Sequence, residues 1–494
     1  MKVGTNSNST KSRNSSAPNG MPTVNAWRYF LLFLFLCGFS FCPVVTKAED
    51  FQELRARAEQ GDAEAQKDLG WYYRDGLGVE QDYTQAAEWY RKAAEQGNTW
   101  AQYSLGDLYE EGRGVEQDYA QAAEWYRKAA EQGNTWAQHS LCHLYEEGRG
   151  VEQDYAQAAE WVRKAAKQGN AGAQFHLGNF YLDGRGVEQD YAQAVEWFRK
   201  AAEQGNAGAQ NNLGVRYNKG QGVEQDYTKA VEWYRKAAEQ GYVKAQINLG
   251  ACYAKGQGVE QDYAQAAEWC RKAAEQGDAR AQFNLGICYY YGRGVDQDYT
   301  QAAEWYRKAA EQGNATAQNN LGWCYEKGHG VDQDYARAVE LYQKSAEQEN
   351  ACAQENLGYC YENGKGIPQD KELAQECFNK AFVSFKAEAE EGNDDVLDNL
   401  GHLYYEGHGV EKNQEEAVKY FKQAAEQENA NGLFYLGLCY AEGGGVEKDN
   451  VQAIEWFKKA LDKDRTETIN NFQDAAEEGH VIDPEILSEL GLEI

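Results

Sequence analysis

Proline is scarce in this chain, five residues in 494, and methionine is scarcer still at two. Helices can therefore run unbroken, and a polyproline or linker-rich architecture is excluded. Basic residues are also short, 49 against 79 acidic for a formal charge of −30. That sign repels phosphate, so nucleic acid is excluded as a partner, and a membrane surface is excluded beyond the leader, while basic proteins or peptides fit. Catalytic signatures are missing as well: there is no Gly-x-Ser-x-Gly, no His-Glu-x-x-His and no Ser-x-x-Lys. Without a nucleophile in an activating setting the chain reads as non-enzymatic, with no cofactor. Glycine, in contrast, is abundant at 50 residues, and aromatics make up 13% of the chain. With 42% hydrophobic residues a sizeable core is available, which excludes a disordered acidic polymer.

Long apolar runs are confined to Tyr29 through Val45 (YFLLFLFLCGFSFCPVV), preceded by Lys2, Lys11, Arg13 and Arg28 with no acid in residues 1–28. A basic segment, an apolar segment and small residues at Val45-Thr46-Lys47-Ala48 predict a signal peptide over 1–48, cleaved after Ala48, and hence an exported protein, periplasmic or secreted. The run is shorter than the roughly 20 residues of a spanning helix; an uncleaved inner-membrane anchor is the alternative. Leu36 before Cys37 and Phe41 before Cys42 are too large for a lipobox, and a start at Met21 would give a more ordinary leader of 28 residues. Cleavage leaves nine cysteines, so at least one thiol lacks a partner within the chain.

The glycine count follows from a repeat. Leu-Gly recurs at 69, 105, 177, 213, 249, 285, 321 and 357, a step of 36; Leu141-Cys142 fills the one gap, and after a seven-residue insertion the pattern resumes at 400 and 436. Eleven repeats result, over 62–462. In the unit at residues 98–133, two helical apolar patterns are separated by glycines. Helix A is expected to start at the N-cap Asn98 and to stop at Gly112 in a left-handed turn; helix B should start at Asp118, in a capping box with Gln121, and end at Gly133. Gly112-Arg113-Gly114-Val115 follows a helix and lacks a lysine, so it is a turn and not a phosphate loop. On helix A of the first unit Ala65, Leu69, Tyr72 and Tyr73 share a face, and on helix B Ala86, Trp89, Tyr90, Ala93 and Ala94 do. The Trp–aromatic pair is expected to fill the space between units, so that truncating Trp233 costs about 3–5 kcal/mol.

The pattern A-x-x-x-L-G-x-x-Y-x-x-G-x-G-V, then D-x-x-x-A-x-x-W-Y-x-K-A-A-x-Q-G, resembles the Sel1-like repeat, a relative of the tetratricopeptide repeat. The resemblance covers about residues 50–462. It implies an all-α fold, a right-handed superhelical α-solenoid of stacked helix-turn-helix units, and an adaptor that assembles protein complexes, often exported in bacteria. A capping half-helix is expected at 49–61 and capping helices at 463–494, the last opening at Asp483-Pro484. The insertion, at about Phe382–Glu388 in helix B of the ninth repeat, is close to two turns and should lengthen that helix.

Across the repeats helix B hardly changes, while helix A varies at columns 64, 67, 68, 71, 74 and 75 of the first-repeat numbering, a stripe expected to face solvent. The resemblance places this stripe in the concave groove lined by A helices. Its early part carries Trp71, Trp100, Tyr103, Trp136, His139, His143, Phe175 and His176; its later part carries Asn212, Asn248, Asn284, Asn320, Asn356 and Asn399 beside Phe283, Ile287, Tyr291, Trp323 and Tyr359. An asparagine ladder can clamp the backbone of an extended peptide, with aromatics supplying buried area; bonding between neighbouring helices is the competing role. The predicted function is therefore a monomeric, non-catalytic scaffold that binds proteins or peptides in this groove. A hydrolase or binder acting on β-lactam or cell-wall substrates is the alternative. His139, His143 and His176 could hold zinc, but no Cys or carboxylate spacing completes a recognised motif and no metal is assigned. Cys252, Cys288, Cys324, Cys360 and Cys439 share an apolar column and read as small core residues too far apart to pair with one another; Cys252 with Cys270, or Cys360 with Cys377, could meet within a repeat.

Overall fold

The computed structural model describes residues 51–492. The leader, its cleavage site, the anchor alternative and the Met21 start lie outside the described residues. Within them every regular element is a helix: twenty-five α-helices and one 3-10 turn, arranged as consecutive antiparallel pairs. No helix of the described residues is long and apolar enough to cross a membrane. The chain forms two compact units, residues 51–237 and 238–492 of the described span, each a stack of helix pairs.

The repeat boundaries arise from local chemistry. In the second repeat Asn98 caps helix A, Thr99–Glu111, by accepting from the Ala101 N–H, and Gly112 at φ 68° closes it with a bond to the Leu108 carbonyl. Asp118 caps helix B, Tyr119–Glu131, by accepting from the N–H groups of Ala120 and Gln121. The reciprocal half of the expected capping box is replaced: in the first repeat Gln85 Nε2 turns to Glu88, 3.4 Å away. The second glycine of the turn has a different task from the first. A Cβ on Gly114 would stand 2.2 Å from the Tyr83 carbonyl carbon, because this turn presses on the start of the preceding repeat's B helix.

Why glycine follows leucine is equally direct. Tyr126 of helix B lies flat on Gly106, where a Cβ would meet the ring at 2.7 Å; Phe198 covers Gly178 and Phe457 covers Gly437 in the same way. Two repeats break the pairing together. Where the glycine becomes Cys142, the B-helix aromatic becomes Val162, and where the aromatic becomes Cys270, the glycine (Gly250) stays and its Cβ position is 3.3 Å from the thiol.

The aromatics divide the burial unequally. Tyr90, Tyr126, Tyr306 and Tyr342 are fully buried, whereas Trp233 and most of its equivalents are half-exposed, each roofed by a lysine ammonium, as Lys236 sits 4.0 Å from the Trp233 ring centroid. This corrects the expectation that Trp233 is a core residue worth several kcal/mol: the tyrosine fills the core, and the tryptophan seals its rim in a cation–π contact.

One polar feature runs through both units. Buried Gln102 donates from Nε2 to the Ala94 carbonyl at the end of the previous B helix (3.1 Å) and accepts from Gln132 Nε2 (2.7 Å). Gln138 and Gln174 repeat this in the first unit, and Gln246, Gln282 and Gln318 in the second. Each amide thus adds a second hydrogen bond to a helix-end carbonyl that the closing glycine N–H already meets, as Gly97 meets Ala94 at 2.9 Å, and so ties successive repeats together.

At the start, helix Phe51–Glu59 packs Leu54 and Ala58 on the first repeat beside Leu69 and Trp89. Helix B of the ninth repeat, Lys371–Glu390, has 20 residues against the usual 13. At the end, helix Arg465–Glu478 returns across the A helices: Asp474 pairs with Lys327 of the eighth repeat, and Asp464 is 3.5 Å from Arg293 of the seventh. Asp483 caps the last helix, Pro484–Leu490.

Candidate functional site

The A helices present one face away from their B partners, and its columns differ in depth. Trp71, Trp100 and Trp136 stand out at 43%, 53% and 52% exposure. Columns 64 and 71 are seven residues apart, two helical turns, so these tryptophans lie on one stripe. Tyr103, Phe175 and Phe283 instead lean inward on the B-helix rings of Tyr126, Phe198 and Tyr306, with centroids 5.7, 6.0 and 5.9 Å apart.

The asparagine column behaves differently from an outward ladder. Asn212 donates to Asn179 Oδ1 (3.1 Å), Asn356 to Asn319 Oδ1 (2.9 Å) and Asn399 to Glu355 Oε2 (3.1 Å), each bond joining the A helices of adjacent repeats. Asn320, Trp323 and Asn399 are buried, and Trp323 donates from Nε1 to the Tyr290 hydroxyl (2.9 Å). The expectation that the whole stripe faces solvent is therefore corrected for these residues: helix A of one repeat covers column 68 of its neighbour. Asn248, Asn284, Ile287 and Tyr291 are half-buried.

His139, His143 and His176 come together on the face of the third and fourth repeats. His139 and His143 rings are 4.7 Å apart, His176 stacks on His143 at 4.7 Å, and one nitrogen from each ring lies within 4.8 Å of the others. Glu146 accepts from His176 Nε2 at 2.9 Å and is itself held by Arg185 Nη1 at 2.8 Å. Burial, reinforced by the neighbouring imidazoles, lowers His139 to about 3 and His143 to about 4, so both rings are neutral.

In the second unit a cavity of about 430 Å³ opens beside Trp323, Asn356 and Tyr359. The Tyr359 hydroxyl stands between His402 Nδ1 (3.2 Å) and His408 Nδ1 (3.3 Å), and Asp474 of the returning helix closes one side.

Against known families, a Sel1 repeat profile matches residues 63–98, 101–134, 137–170, 171–206, 207–242, 243–278, 279–314, 315–350, 353–382, 397–429 and 430–464. The chain belongs to the Sel1 repeat family. Among solved Sel1 repeat structures, it is similar to a protective antigen present in uropathogenic Escherichia coli strains that displays the SLR fold, with 39% identity, 90% of this chain and 98% of that one covered, and a TM-score of 0.67. It is also similar to a Sel1 repeat protein from Oxalobacter formigenes, with 35% identity, coverage of 67% and 99%, and a TM-score of 0.52. No curated protein matches. Sel1 repeat scaffolds are typically protein-interaction modules and generally non-catalytic.

None of the nine cysteines in the described residues of this Sel1 chain forms a disulfide, and burial raises the Cys252 thiol to about 11 and those of Cys324 and Cys360 to about 12. Asp107, in the same column as Trp71, is a residue that sequence reasoning missed. Burial, with Glu111 and Glu110 adding repulsion against the weaker pull of Arg74 and Arg113, pushes its carboxyl up to about 6. A carboxyl whose pKa is higher folded than unfolded holds its proton more tightly in the native state, so stability falls as pH rises from about 4 to 6. Asp107→Asn is therefore expected to stabilise the protein by about 1–2 kcal/mol at pH 7.5 and by little at pH 4.5; urea unfolding at the two pH values checks this.

Proposed function

We propose that this Sel1 repeat protein is an exported, monomeric scaffold that binds a basic protein or peptide on the A-helix face of residues 51–237. The observation that carries the reading is the run of Trp71, Trp100 and Trp136, three large apolar side chains about half exposed on the A helices of consecutive repeats. Aligned tryptophans of this kind anchor interfaces, each offering large area and a ring nitrogen donor. The acidic surface favours a basic partner and speeds its encounter. Tyr103 and Phe175 lie beneath this face, packed on the B-helix rings Tyr126 and Phe198 of their own repeats. Replacing Trp71, Trp100 and Trp136 together by alanine is expected to weaken partner binding at least tenfold while the melting temperature stays within about 2 °C, since exposed side chains add little to folding. Affinity capture of the partner from the organism's own exported fraction, followed by titration with wild-type and triple-variant protein, measures both. A variant that keeps full affinity would refute the assignment of this face.

A further inference from the structure

Three of the chain's seven histidines meet at one point on the A-helix face. His139 and His143 are four residues apart on helix Thr135–Glu147, and His176 reaches them from helix Ala171–Asp183 of the next repeat. Each backbone is fixed by its own capped helix, and Glu146, 2.9 Å from His176 Nε2 and 3.9 Å from His143 Nδ1, faces one nitrogen of each of these rings. The opposite nitrogen of His176, Nδ1, lies 3.9 Å from Cys142 Sγ. Arg185 at 2.8 Å keeps Glu146 in place.

We propose that His139, His143 and His176 form a three-histidine site for a divalent transition metal of the zinc class, with Glu146 as the carboxylate that orients the rings. The chemistry favours this class. Neutral imidazoles suit zinc, nickel and copper, whereas magnesium and calcium require oxygen donors. A carboxylate on the far nitrogen of a ligating histidine is the usual support of such sites. A tetrahedral ion about 2.1 Å from each nitrogen needs nitrogens about 3.4 Å apart. The present spread of up to 4.8 Å would close by rotation of the rings, of which His143, with a side chain 30% exposed against 13% for His176, has the more room. Three protein ligands leave a fourth position for water or for a donor from another molecule. Nearby Cys142, with Sγ 3.9 Å from His176 Nδ1, belongs with Glu146 and His176 to a second donor set, which has one imidazole where the first has three. This inference stands apart from the partner-binding reading, and either can fail without the other.

The full chain as the cell processes it, carrying no polyhistidine tag and stripped with a chelator, is titrated with zinc chloride by calorimetry and with cobalt(II) by absorbance. One equivalent of zinc should bind with a dissociation constant of micromolar or below and raise the melting temperature. Cobalt should give the visible bands of a tetrahedral nitrogen–oxygen site without a thiolate-to-metal charge-transfer band. His139→Gln and His143→Gln should each weaken zinc binding at least a hundredfold, Glu146→Gln about ten- to a hundredfold, and Cys142→Ser should leave it unchanged; circular dichroism confirms that each variant is folded. Absence of stoichiometric uptake, or uptake unaffected by His143→Gln, would overturn the site. So would a thiolate band lost in Cys142→Ser, which would move the metal to Cys142, Glu146 and His176.

Discussion

Tyr126→Ala is expected to lower the free energy of unfolding by about 3–5 kcal/mol, and Trp125→Ala, one residue earlier, by only about 1–2 kcal/mol. Tyr126 is wholly buried, rests on Gly106, packs against Tyr103 and donates its hydroxyl to Glu110 at 2.6 Å. Truncation empties the space between two helices and leaves the Glu110 carboxylate half-buried without its donor, so a cavity cost and a desolvation cost arrive together. Trp125 is half-exposed and has Lys128 over its ring at 4.0 Å, and water replaces much of what its removal loses. Urea unfolding of the two variants separates these cases. Equal losses would mean that the division between core tyrosine and rim tryptophan is wrong.

The second large effect concerns the third repeat, where two substitutions should each harm and together should heal. Val162→Tyr places a ring where Cys142 occupies the position of the usual glycine. Neighbouring repeats show that even a Cβ there would lie 2.7 Å or less from the ring, so overpacking of about 2–3 kcal/mol follows. Cys142→Gly alone removes a buried thiol and puts glycine in a helix interior over small Val162, a loss of about 1–2 kcal/mol. The double variant restores the pairing seen in the adjacent repeats and is expected to be as stable as the parent, a coupling energy of about 3–5 kcal/mol in magnitude. In the sixth repeat, where Gly250 is kept, Cys270→Tyr should be accepted without any second change. Additive losses in the four-variant unfolding cycle would refute the argument.

Helix boundaries were legible in the sequence because each is written in local chemistry, Asn98 or Asp118 before a helix and Gly112 after it. The 36-residue step then propagates one correct unit along the chain. Column 68 was misread for a geometric reason. At 100° per residue it borders the core face, and only the distance to the neighbouring repeat decides whether Asn212 meets water or Asn179. The continuous ladder is the glutamine one, and its sign was present: Gln66, Gln102, Gln138, Gln174, Gln210, Gln246, Gln282, Gln318 and Gln354 recur without change on an otherwise varied helix. A polar residue that never varies beside buried alanine signals a bond the fold requires. All three members of the histidine cluster were visible in the sequence, two by their spacing on one helix and His176 in the next repeat, but how closely their rings approach depends on how the two repeats stack, which no motif records. The return of helix Arg465–Glu478 to Lys327 had no sequence signal at all, since an ion pair 147 residues apart follows no period.

That returning helix changes how the second unit comes apart. Through residues 51–237 the helices that pack substantially are consecutive in the chain, so each repeat is held by its two neighbours and the outermost can peel away alone. In the second unit Asp474 and the N-cap Asp464 fasten helix Arg465–Glu478 to the eighth and seventh repeats, which closes a long loop over everything between. Loop closure over such a span costs chain entropy on folding and is regained only when the clasp opens. The intervening repeats are therefore expected to fray less readily one at a time than those of residues 51–237, a clasp in one unit and an open zipper in the other.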